Sequence, residues 1–574
     1  MDQTSSQTND HLPPLRRLIK MLRPERSDIR AIVIYSIGIG GLTLAVPVAV
    51  QTLVNTVAFG SILQPLIVIT LLLFLGLSSG AVMRALQTYT LEVMQQRIFV
   101  RVVSDIAHTL PRARIEAFDR SHGPELVNRF FDVITVQKVS AQLLLDGLAI
   151  VLQGSIGLIV LAFYHPILLA FDIVLLGLLL FIVFVLGRGA VRTAIDESYA
   201  KYAVAGWLEE MARHPLSFKH GGAIEFANAG ADARVRQYLD ARNRHFSILF
   251  RQMVSAFSLH AISSTALLGI GGWLVINGRL TLGQLVAAEL IVTAVVASFA
   301  KLGKHLESFY DLMAAVEKLG HLLDLPLERR TGQQLADRSG PAAIMLDRVS
   351  FQYEGMQPII EDFTLDVRPG ERIGISGPNG SGKSTLAELL FGLRQPTSGR
   401  LSLDGVDYRE LSLSTLRYSV ASVQGAEMFE GTVLENVRLG RDEISLEEVR
   451  AALHAVGLLD EILSMPDGIE TRLITGGAPL SSGQARRLQV ARAIAGKPRM
   501  LIIDESLDDL AIDRREQVVT KLADRNAPWT LIVLSHDATV LGQMDRTVSL
   551  EMANGSGTPL ASSESTMKTG SEVS

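Results

Sequence analysis

Residues 377–384, GPNGSGKS, combine three glycines, two serines and a lysine in the pattern G-x-x-x-x-G-K-[ST]. Glycines let a backbone curl so that its N–H groups converge on one point, and a following helix N-terminus adds positive potential there. In this pattern Lys383 reaches the β- and γ-phosphates of a nucleotide, and the Ser384 hydroxyl binds Mg²⁺. The flanking runs ERIGIS and STLAELLFGL predict a strand and an amphipathic helix. The context therefore favours a phosphate site over a plain glycine-rich turn.

A second candidate element is RMLIIDE, residues 499–505, in which four apolar residues end in two carboxylates. A buried parallel strand would bring Asp504 to its carboxyl edge, where sheets of this kind bind ligands. Asp504 would then hold Mg²⁺ through water, and Glu505 would polarise an attacking water. Alone, the run is better explained as a strand ending in a solvated acidic turn. Beside a phosphate loop, the catalytic interpretation is favoured.

The elements that must position these residues follow from the pattern downstream of Ile344. Short β-rich runs alternate there with helical patterns, which is typical of an α/β domain. We therefore predict an α/β nucleotide-binding domain over residues 344–552, preceded by a linker over 326–343. The polar, Ser/Gly-rich residues 553–574 are predicted to be a disordered tail.

Between the two elements lies LSSGQARRLQVARAI, residues 480–494, which resembles the signature motif of ATP-binding cassette (ABC) proteins. The resemblance extends to VSFQY at 349–353, to a Q-loop segment at 422–437 and to IVLSHD at 532–537. It covers residues from about 344 to 552, and it implies that Glu505 and His536 are catalytic, with Tyr353 stacking on adenine. The ATP-binding residues that it implies are Tyr353, Gly377, Asn379, Gly380, Ser381, Gly382, Lys383, Ser384, Thr385 and Gln424, and the Mg²⁺ ligands are Ser384, Gln424 and Asp504.

One cassette of this family cannot complete its own site. Two cassettes pack head to tail, so that the signature of one faces the phosphate loop of the other. The resemblance thus implies that Ser481, Ser482, Gly483 and Gln484 act on the ATP of a partner. With one membrane half and one cassette, the chain resembles a half-transporter. A homodimer is the default expectation, and a related half-transporter is the alternative partner.

The sequence departs from the family pattern at three places. Ser482 stands where glycine is usual, and the segment LITGGAP lacks a glutamate often found there. After Glu505 the family usually has ATSALD, whereas this chain has SLDDLA, so that Ala511 occupies the position of the D-loop aspartate. Asp508 and Asp509 are both candidates to replace it. These departures bear on communication between cassettes more than on hydrolysis.

The N-terminal half is apolar. Of the 574 residues 48% are hydrophobic, the mean hydropathy is +0.29, the formal charge is −5, and there is no cysteine. The small charge gives no indication of a nucleic-acid partner. The lack of cysteine excludes disulfides, thiolate zinc sites and cysteine nucleophiles. A basic segment, residues 1–28, precedes the apolar run and predicts a cytoplasmic N-terminus in a lipid bilayer protein.

Three apolar blocks predict an all-α transmembrane domain of six helices over residues 29–325. No Asp, Glu, Lys or Arg occurs from Ala31 to Met83, which accommodates two spans of about 20 residues each. The other blocks, 143–186 and 252–300, predict spans three to six. Turns are predicted near FGSILQP, at FYHP (163–166) and at INGRLTLGQ (276–284).

The charged segments 84–142 and 188–251 are too long for loops and predict helical extensions of spans two to five. Their turning points are predicted at 123–132 and 205–215, and both turns would couple the cassette to the membrane domain. Glu125 and Arg129 on the first turn are the candidate coupling residues. An ionisable residue inside a span is either a functional candidate or lies at the level of the lipid headgroups, and we give the two interpretations about equal weight. The substrate-cavity candidates are Asp146, Asp172, His260 and Glu289.

The predicted activity is ATP-driven export of an amphipathic or apolar substrate by alternating access, with ATP and Mg²⁺ required. The alternatives are an ATP-gated channel or regulatory ABC protein that does not pump, and one subunit of a heterodimer. The chain has no cysteine and a short segment before span one, so processing of a leader peptide is not expected. We expect a bacterial inner membrane location with the nucleotide-binding domain in the cytoplasm.

Overall fold

The computed structural model describes residues 13–58, 63–119, 127–300, 302–334, 340–425, 427–508 and 510–551. These residues form two compact units. The first contains the chain up to Ala113 and Ala117–Pro326, and the second contains Arg114–Glu116 and the chain from Leu327 onward.

The described part of the first unit is helical. Its α-helices are α1 Pro14–Leu22, α2 Arg26–Thr43, α3 Ala45–Ala58, α4 Leu63–Thr109, α5 Asp132–Gln142, α6 Leu148–Tyr164, α7 Pro166–Leu180, α8 Ala190–Arg213, α9 Ala223–Ile276, α10 Leu282–Ala300 and α11 Leu302–Leu323. Two π-helical segments, Leu143–Gly147 and Phe181–Val185, continue α5 into α6 and extend α7.

Five helical stretches of the described chain are long and apolar enough to cross a membrane, namely Pro14–Thr56, Leu66–Arg112, Arg129–Tyr164, Pro166–Arg213 and Ala223–Ile276. A shorter apolar stretch, Leu282–Ile291, lies in α10, where the sixth span is predicted. The helix ends match the predicted turns: α6 ends at Tyr164 before Pro166, and α9 ends at Ile276. The first break falls between Ala58 and Leu63, around residues outside the described ranges.

The predicted helical extensions are present, since α4 contains 47 residues and α9 contains 54. The turn predicted at 205–215 is wrong in position. α8 continues through Gly206 to Arg213, and the chain reverses over 214–222. A helical glycine costs only about 1 kcal/mol relative to alanine, so Gly206 does not end the helix. Pro215 does, because it disfavours helical geometry at His214, whose ψ is 54°.

The turn predicted at 123–132 falls largely outside the described residues, because 120–126, including Glu125, are not described. Beyond that gap the chain forms a short 3₁₀ turn, Arg129–Phe131, and enters α5 at Asp132. Arg129 therefore lies on the turn that leads into the third predicted span.

Helix α11 is the central packing element of this unit. Leu312, Val316 and Leu319 on α11 are buried in one apolar cluster with residues of α4 and α5. Arg17 on α1 forms ion pairs with Glu317 on α11 and with Asp324 just after it. The last helix before the second unit is thus held by both apolar and ionic contacts.

Lys318 on α11 is one of the most deeply buried side chains of this unit. Its Nζ donates a hydrogen bond to the Ser198 carbonyl at 3.0 Å and lies 3.4 Å from the ring centroid of Tyr202. The Tyr202 hydroxyl donates to Asp132 at 3.0 Å. These contacts connect α11 to α8 and α5. Burial lowers the pKa of Lys318 to about 7, and the charge of Asp132 partly opposes that shift.

The second unit contains a parallel sheet and an antiparallel sheet. Its strands are β1 Ile344–Gln352, β2 Pro358–Val367, β3 Arg372–Ser376, β4 Ser398–Leu403, β5 Val406–Asp407, β6 Val420–Gln424, β7 Gly431–Thr432, β8 Arg472–Leu473, β9 Met500–Asp504, β10 Thr530–Leu534 and β11 Arg546–Ser549. The antiparallel sheet has the order β2-β1-β4-β5, and β7 pairs with β8. The other sheet has the order β11-β3-β10-β9-β6 with every pair parallel.

The helices of this unit pack on the parallel sheet in two apolar clusters. They are α12 Lys383–Leu390, α13 Leu413–Ser419, α14 Val433–Arg438, α15 Leu446–Ala455, α16 Leu459–Leu463, α17 Ser482–Ala495, α18 Ile512–Leu522 and α19 Ala538–Leu541. Strands β9 and β10 are buried at every residue, as expected for parallel strands covered on both faces. The central strands therefore carry their terminal residues to one buried edge.

Candidate functional site: a nucleotide site at the carboxyl edge of the parallel sheet

Four neighbouring strands of the parallel sheet end in the predicted site residues. In the strand register Asp504 at the end of β9 pairs with Gln424 of β6 on one side and Leu534 of β10 on the other. Leu534 is in turn paired with Ile375 of β3, next to the phosphate loop. Because all four strands are parallel, their carboxyl ends meet at one edge. The topology thus assembles Gln424, Asp504 and the loops after β3 and β10.

The phosphate loop connects β3 to α12, as predicted. Gly382 has φ +93°, a left-handed conformation that suits glycine, and a Cβ there would lie 3.1 Å from Ile360. A Cβ on Gly377 would lie 2.5 Å from the Leu550 carbonyl oxygen. Both positions are therefore closed to larger residues. Asn379 and Gly380 are exposed at the loop tip, whereas Ser381 and Thr385 are buried.

Lys383 occupies the centre of this loop. Its Nζ donates to the carbonyl oxygens of Gly377 at 2.8 Å and Pro378 at 3.1 Å, and it lies 3.1 Å from Oε1 of Glu505. The lysine charge is thus matched by the loop carbonyls and by a carboxylate. A phosphate would compete for the same ammonium group, so nucleotide binding would release Glu505 from this ion pair.

The residues predicted to hold Mg²⁺ fit a hard cation. The Ser384 hydroxyl donates to Asp504, whose Oδ1 is buried without a hydrogen-bond partner among the described residues. Gln424 lies beside Asp504 in the strand register. Burial raises the pKa of Asp504, and the hydrogen bond from Ser384 opposes that shift. A divalent cation would stabilise the ionised carboxylate.

Glu505 follows β9 in an unusual backbone conformation. Its φ is +49°, and its N–H donates to the Leu534 carbonyl at 2.9 Å. A non-glycine residue in the left-handed region is strained, and such strain is common at functional sites. The turn directs the carboxylate to Lys383. Glu505 therefore lies beside the lysine that is predicted to bind the terminal phosphate.

Tyr353, which is predicted to stack on adenine, is held by contacts on several sides. Its ring stands edge-on to Phe351 at a centroid distance of 5.0 Å, and the guanidinium of Arg394 lies 4.8 Å from its centroid. The Tyr353 hydroxyl and the Thr385 hydroxyl are hydrogen-bonded at 3.0 Å. The aromatic ring is thus fixed relative to α12, which carries the phosphate-binding lysine.

The predicted signature begins helix α17. Ser481 is the N-cap residue, and its Oγ accepts a hydrogen bond from the Gln484 N–H, while the Gln484 side chain accepts from the Ser481 N–H at 2.8 Å. This reciprocal arrangement is a capping box. The Ser481 hydroxyl keeps its own hydrogen to donate, and Ser482 and Gly483 occupy the first helical turn, where N–H groups lack helical partners. The helix start can therefore bind an anion.

A network behind the signature was not predicted. Glu461 on α16 accepts hydrogen bonds from Gln484 at 3.0 Å and from Arg487 at 2.7 and 3.0 Å. Arg487 also donates to the Gly457 carbonyl at 2.6 Å. These bonds fix the capping glutamine from outside its own helix. The arginine-rich pattern after the signature was visible in the sequence, but its acidic partner is 23 or more residues away.

The membrane-domain candidates occupy different settings. Asp146 lies in the π-helical segment Leu143–Gly147. Asp172 on α7 is buried, and neither of its oxygens has a hydrogen-bond partner among the described residues. In the same part of the chain, His260 and Glu289 each have one buried polar atom without a partner.

Two family comparisons match the two units separately. Residues 29–211 match the family described as ABC transporter transmembrane region, and residues 360–508 match the family described as ABC transporter. The chain belongs to the ABC transporter family. The predicted fold class is confirmed: a helical transmembrane domain is followed by an α/β nucleotide-binding domain.

Similar proteins include ABC transporters with different named substrates. The chain is 28% identical over 91% of its length to the ABC multidrug transporter mdr2 of Aspergillus fumigatus, covering 67% of that protein. It is 32% identical over 50% of its length to the mycobactin import ATP-binding/permease protein IrtB of Mycolicibacterium thermoresistibile, covering 50% of it. The match to the beta-(1-->2)glucan export ATP-binding/permease protein NdvA of Brucella suis is 29% identical and covers 51% of this chain and 49% of the relative. The chain thus spans about half the length of the last two.

A solved structure has the same overall fold. A bacterial Atm1-family ABC exporter with ATP bound aligns with a TM-score of 0.81 and 21% identity, covering 93% of this ABC transporter chain and 95% of the other. The fold of a helical membrane domain followed by a nucleotide-binding domain on one chain is therefore shared with a known structure.

Proposed function

We propose that this ABC transporter chain is one half of a dimer that hydrolyses ATP to export an amphipathic or apolar substrate. One observation supports it above the others. Lys383, Asp504, Glu505 and His536 lie at or shortly after strand ends at one edge of the parallel sheet, in a chain that also carries long apolar helices. A protein that only binds nucleotide has no use for a hydrolytic carboxylate beside the phosphate lysine.

Hydrolysis would begin with exchange of partners at Lys383. The ammonium leaves the Gly377 and Pro378 carbonyls for the β- and γ-phosphates, which frees Glu505. Glu505 then orients and polarises a water for in-line attack on the terminal phosphate. Ser384, Gln424 and Asp504 would hold Mg²⁺, which neutralises phosphate charge when it is bound.

The second half of each site would come from a partner. The Ser481 hydroxyl and the N–H groups of Ser482 and Gly483 are suited to the γ-phosphate, and Gln484 holds the serine in place. We infer a second copy of this chain as the partner, because all hydrolytic residues are present and two-fold oligomers are the most common. A related half-transporter with the same signature residues could complete the site in the same way.

Coupling to the membrane domain would use the two helical turns of the first unit. The reversal at 214–222 is stiffened by Trp207, whose ring packs edge-on against Phe218 and Phe226 and under the guanidinium of Arg234. Arg129 lies on the other turn. Replacing Arg129, or Glu125 of the turn predicted at 123–132, should uncouple transport from ATP hydrolysis. Normal transport after disruption of that turn would refute the assignment.

The substrate class follows from the membrane domain, which offers few ionisable groups within its spans. A strongly ionic substrate would need more buried partners than Asp146, Asp172, His260 and Glu289 provide. The names of three relatives mention different substrates, namely multiple drugs, mycobactin and a glucan. We infer a bacterial cell membrane as the location, with the basic N-terminus and the nucleotide-binding domain in the cytoplasm.

The test is Mg-ATP hydrolysis by the purified chain in lipid nanodiscs, beside Glu505→Gln and the control Glu447→Gln. Glu447 is exposed in the first turn of α15. Hydrolysis that persists in the control and is lost in Glu505→Gln supports a self-sufficient homodimer. Hydrolysis that needs a second half-transporter would replace the homodimer by a heterodimer. Hydrolysis that is equal in all three chains would overturn the proposed site.

A further inference from the structure

The loop after β9 and the loop after β10 are joined through Asp508. The Ser535 hydroxyl donates to Oδ1 of Asp508 at 2.7 Å, and Nδ1 of His536 lies 3.1 Å from Oδ2. The His536 N–H is at 3.5 Å from the same oxygen. One carboxylate therefore receives donors from two consecutive residues of the histidine loop.

Asp508 and His536 differ sharply in exposure. The Asp508 side chain is 8% exposed, whereas that of His536 is 64% exposed. The anchoring group is thus enclosed by protein, and the imidazole projects from it. A buried carboxylate is retained where donors compensate it, as Ser535 and His536 do here.

A second contact pair joins the same two loops. Arg515 on α18 donates to the Leu510 carbonyl at 3.0 Å and also bonds the Asp537 carboxylate. The histidine loop is therefore fixed on both sides of His536, by Asp508 before it and by Asp537 after it. The contact between Nδ1 and Asp508 then orients the ring on this fixed loop.

The 3.1 Å contact with Asp508 also bears on the two ring nitrogens. An ionised carboxylate only accepts hydrogen bonds, so this contact favours a proton on Nδ1. Nε2 is then the nitrogen that is left for the nucleotide, and in the imidazolium form it donates to an anion such as a terminal phosphate. A serine, which the family pattern has at this position, can donate or accept and would not fix the tautomer in this way.

We propose that Asp508 is a positioning residue that orients His536 toward the terminal phosphate of ATP. The inference rests on the proposed ATP hydrolysis. The carboxylate that the family pattern places at 511 is missing here, since Ala511 occupies that position. Asp508 supplies a carboxylate three residues earlier, where it serves the chain's own histidine.

The test is a double-mutant cycle on steady-state ATP hydrolysis by the full chain in nanodiscs. The variants are Asp508→Ala, His536→Ala and both together, with Asp513→Asn as the control, because Asp513 is exposed in the first turn of α18. We expect Asp508→Ala to lower kcat by about 10-fold or more while KM for ATP stays within about 2-fold, because misplacing a catalytic group slows the chemical step. In the His536→Ala background the same change should cost almost nothing, since its target is gone.

Asp508→Asn provides a second cycle that keeps the side-chain shape. Its amide oxygen can still accept from Nδ1, so we expect it to retain more activity than Asp508→Ala. If Asp508→Ala does not fold, the effect of Asp508→Asn on hydrolysis can be compared between the wild-type and His536→Ala backgrounds in the same way.

Equal losses in the wild-type and His536→Ala backgrounds would overturn the positioning role, and so would unchanged hydrolysis in Asp508→Ala and Asp508→Asn. Either result leaves the proposed function intact if Glu505→Gln is inactive. A wild-type chain that does not hydrolyse ATP under any condition would overturn both.

Discussion

Replacing Glu461 by glutamine tests whether the network behind the signature matters for stability and for hydrolysis. The carboxylate accepts hydrogen bonds from Gln484 and two from Arg487, and Arg514 lies 3.4 Å away. The Arg487 side chain is 6% exposed and that of Glu461 is 29% exposed. The substitution keeps the shape but leaves a largely buried guanidinium without its counter-charge.

The expected cost follows from that burial. Removing one partner of a fully buried ion pair costs about 3–5 kcal/mol. Because Glu461 is partly solvated and the Gly457 carbonyl still accepts from Arg487, we expect about 2 kcal/mol. For a domain of this size about 1 kcal/mol shifts Tm by roughly 2–4 °C. The nucleotide-binding domain should therefore lose roughly 4–8 °C.

The assay uses Trp529, which lies in the nucleotide-binding domain and donates to the Leu522 carbonyl. Trp207→Phe and Trp273→Phe remove the other two tryptophans of the chain. Thermal unfolding by fluorescence is compared between Glu461→Gln and the exposed control Glu447→Gln in this background.

The pH dependence provides an independent check. The hydrogen bonds from Arg487 lower the pKa of Glu461. A carboxyl with a lowered folded-state pKa stabilises above its unfolded pKa, and this stabilisation is lost as the pH falls through the folded value. The Tm difference should therefore shrink as the pH falls below the ordinary glutamate value. A Glu461→Gln chain that melts within about 1 °C of the control at neutral pH would refute the reasoning.

Three further predictions concern single residues. Lys383→Met should weaken binding of a fluorescent ATP analogue by on the order of 100-fold, because a charge-assisted contact to two phosphates is lost, and unchanged affinity would contradict the role of this loop. Lys318 has a folded-state pKa near 7, so between pH 7 and the ordinary lysine pKa it binds fewer protons in the folded chain than in the unfolded chain. The Tm of the wild type should therefore rise from pH 7 to pH 9.5 relative to that of Lys318→Met. A Tm difference between the two chains that does not change with pH would contradict this. The Asp172 carboxylate is buried without a hydrogen-bond partner among the described residues, so Asp172→Asn should leave the Tm unchanged or higher. It should alter substrate-stimulated but not basal hydrolysis, and a large loss of Tm would assign Asp172 a structural role instead.

The phosphate loop and the strand ends could be predicted because their determinants are contiguous. GPNGSGKS specifies a loop through its own glycines, and RMLIIDE specifies a buried strand that ends in a carboxylate. Parallel strands then bring separate motifs to one edge without further information. The helical extensions were also predictable, because charged segments that long do not fit as loops in a compact chain.

Contacts between distant segments could not be predicted in the same way. Asp508 and His536 are 28 residues apart, and nothing in either segment specifies that one carboxylate takes donors from Ser535 and His536. The turn after α8 was misplaced because Gly206 and Pro215 both punctuate the sequence, and the helix continues past the glycine and ends just before the proline. A local sequence pattern does not specify which distant residues contact each other.

The left-handed backbone at Glu505 has a practical consequence for trapping the nucleotide-bound state. Glutamine at this position removes the carboxylate but keeps the strained conformation, whereas asparagine tolerates a φ near +49° better than most residues. Glu505→Asn should therefore abolish hydrolysis and also recover up to about 1 kcal/mol of stability. A chain of this kind would be a more durable sample than the usual glutamine variant for imaging the dimer with ATP held in place.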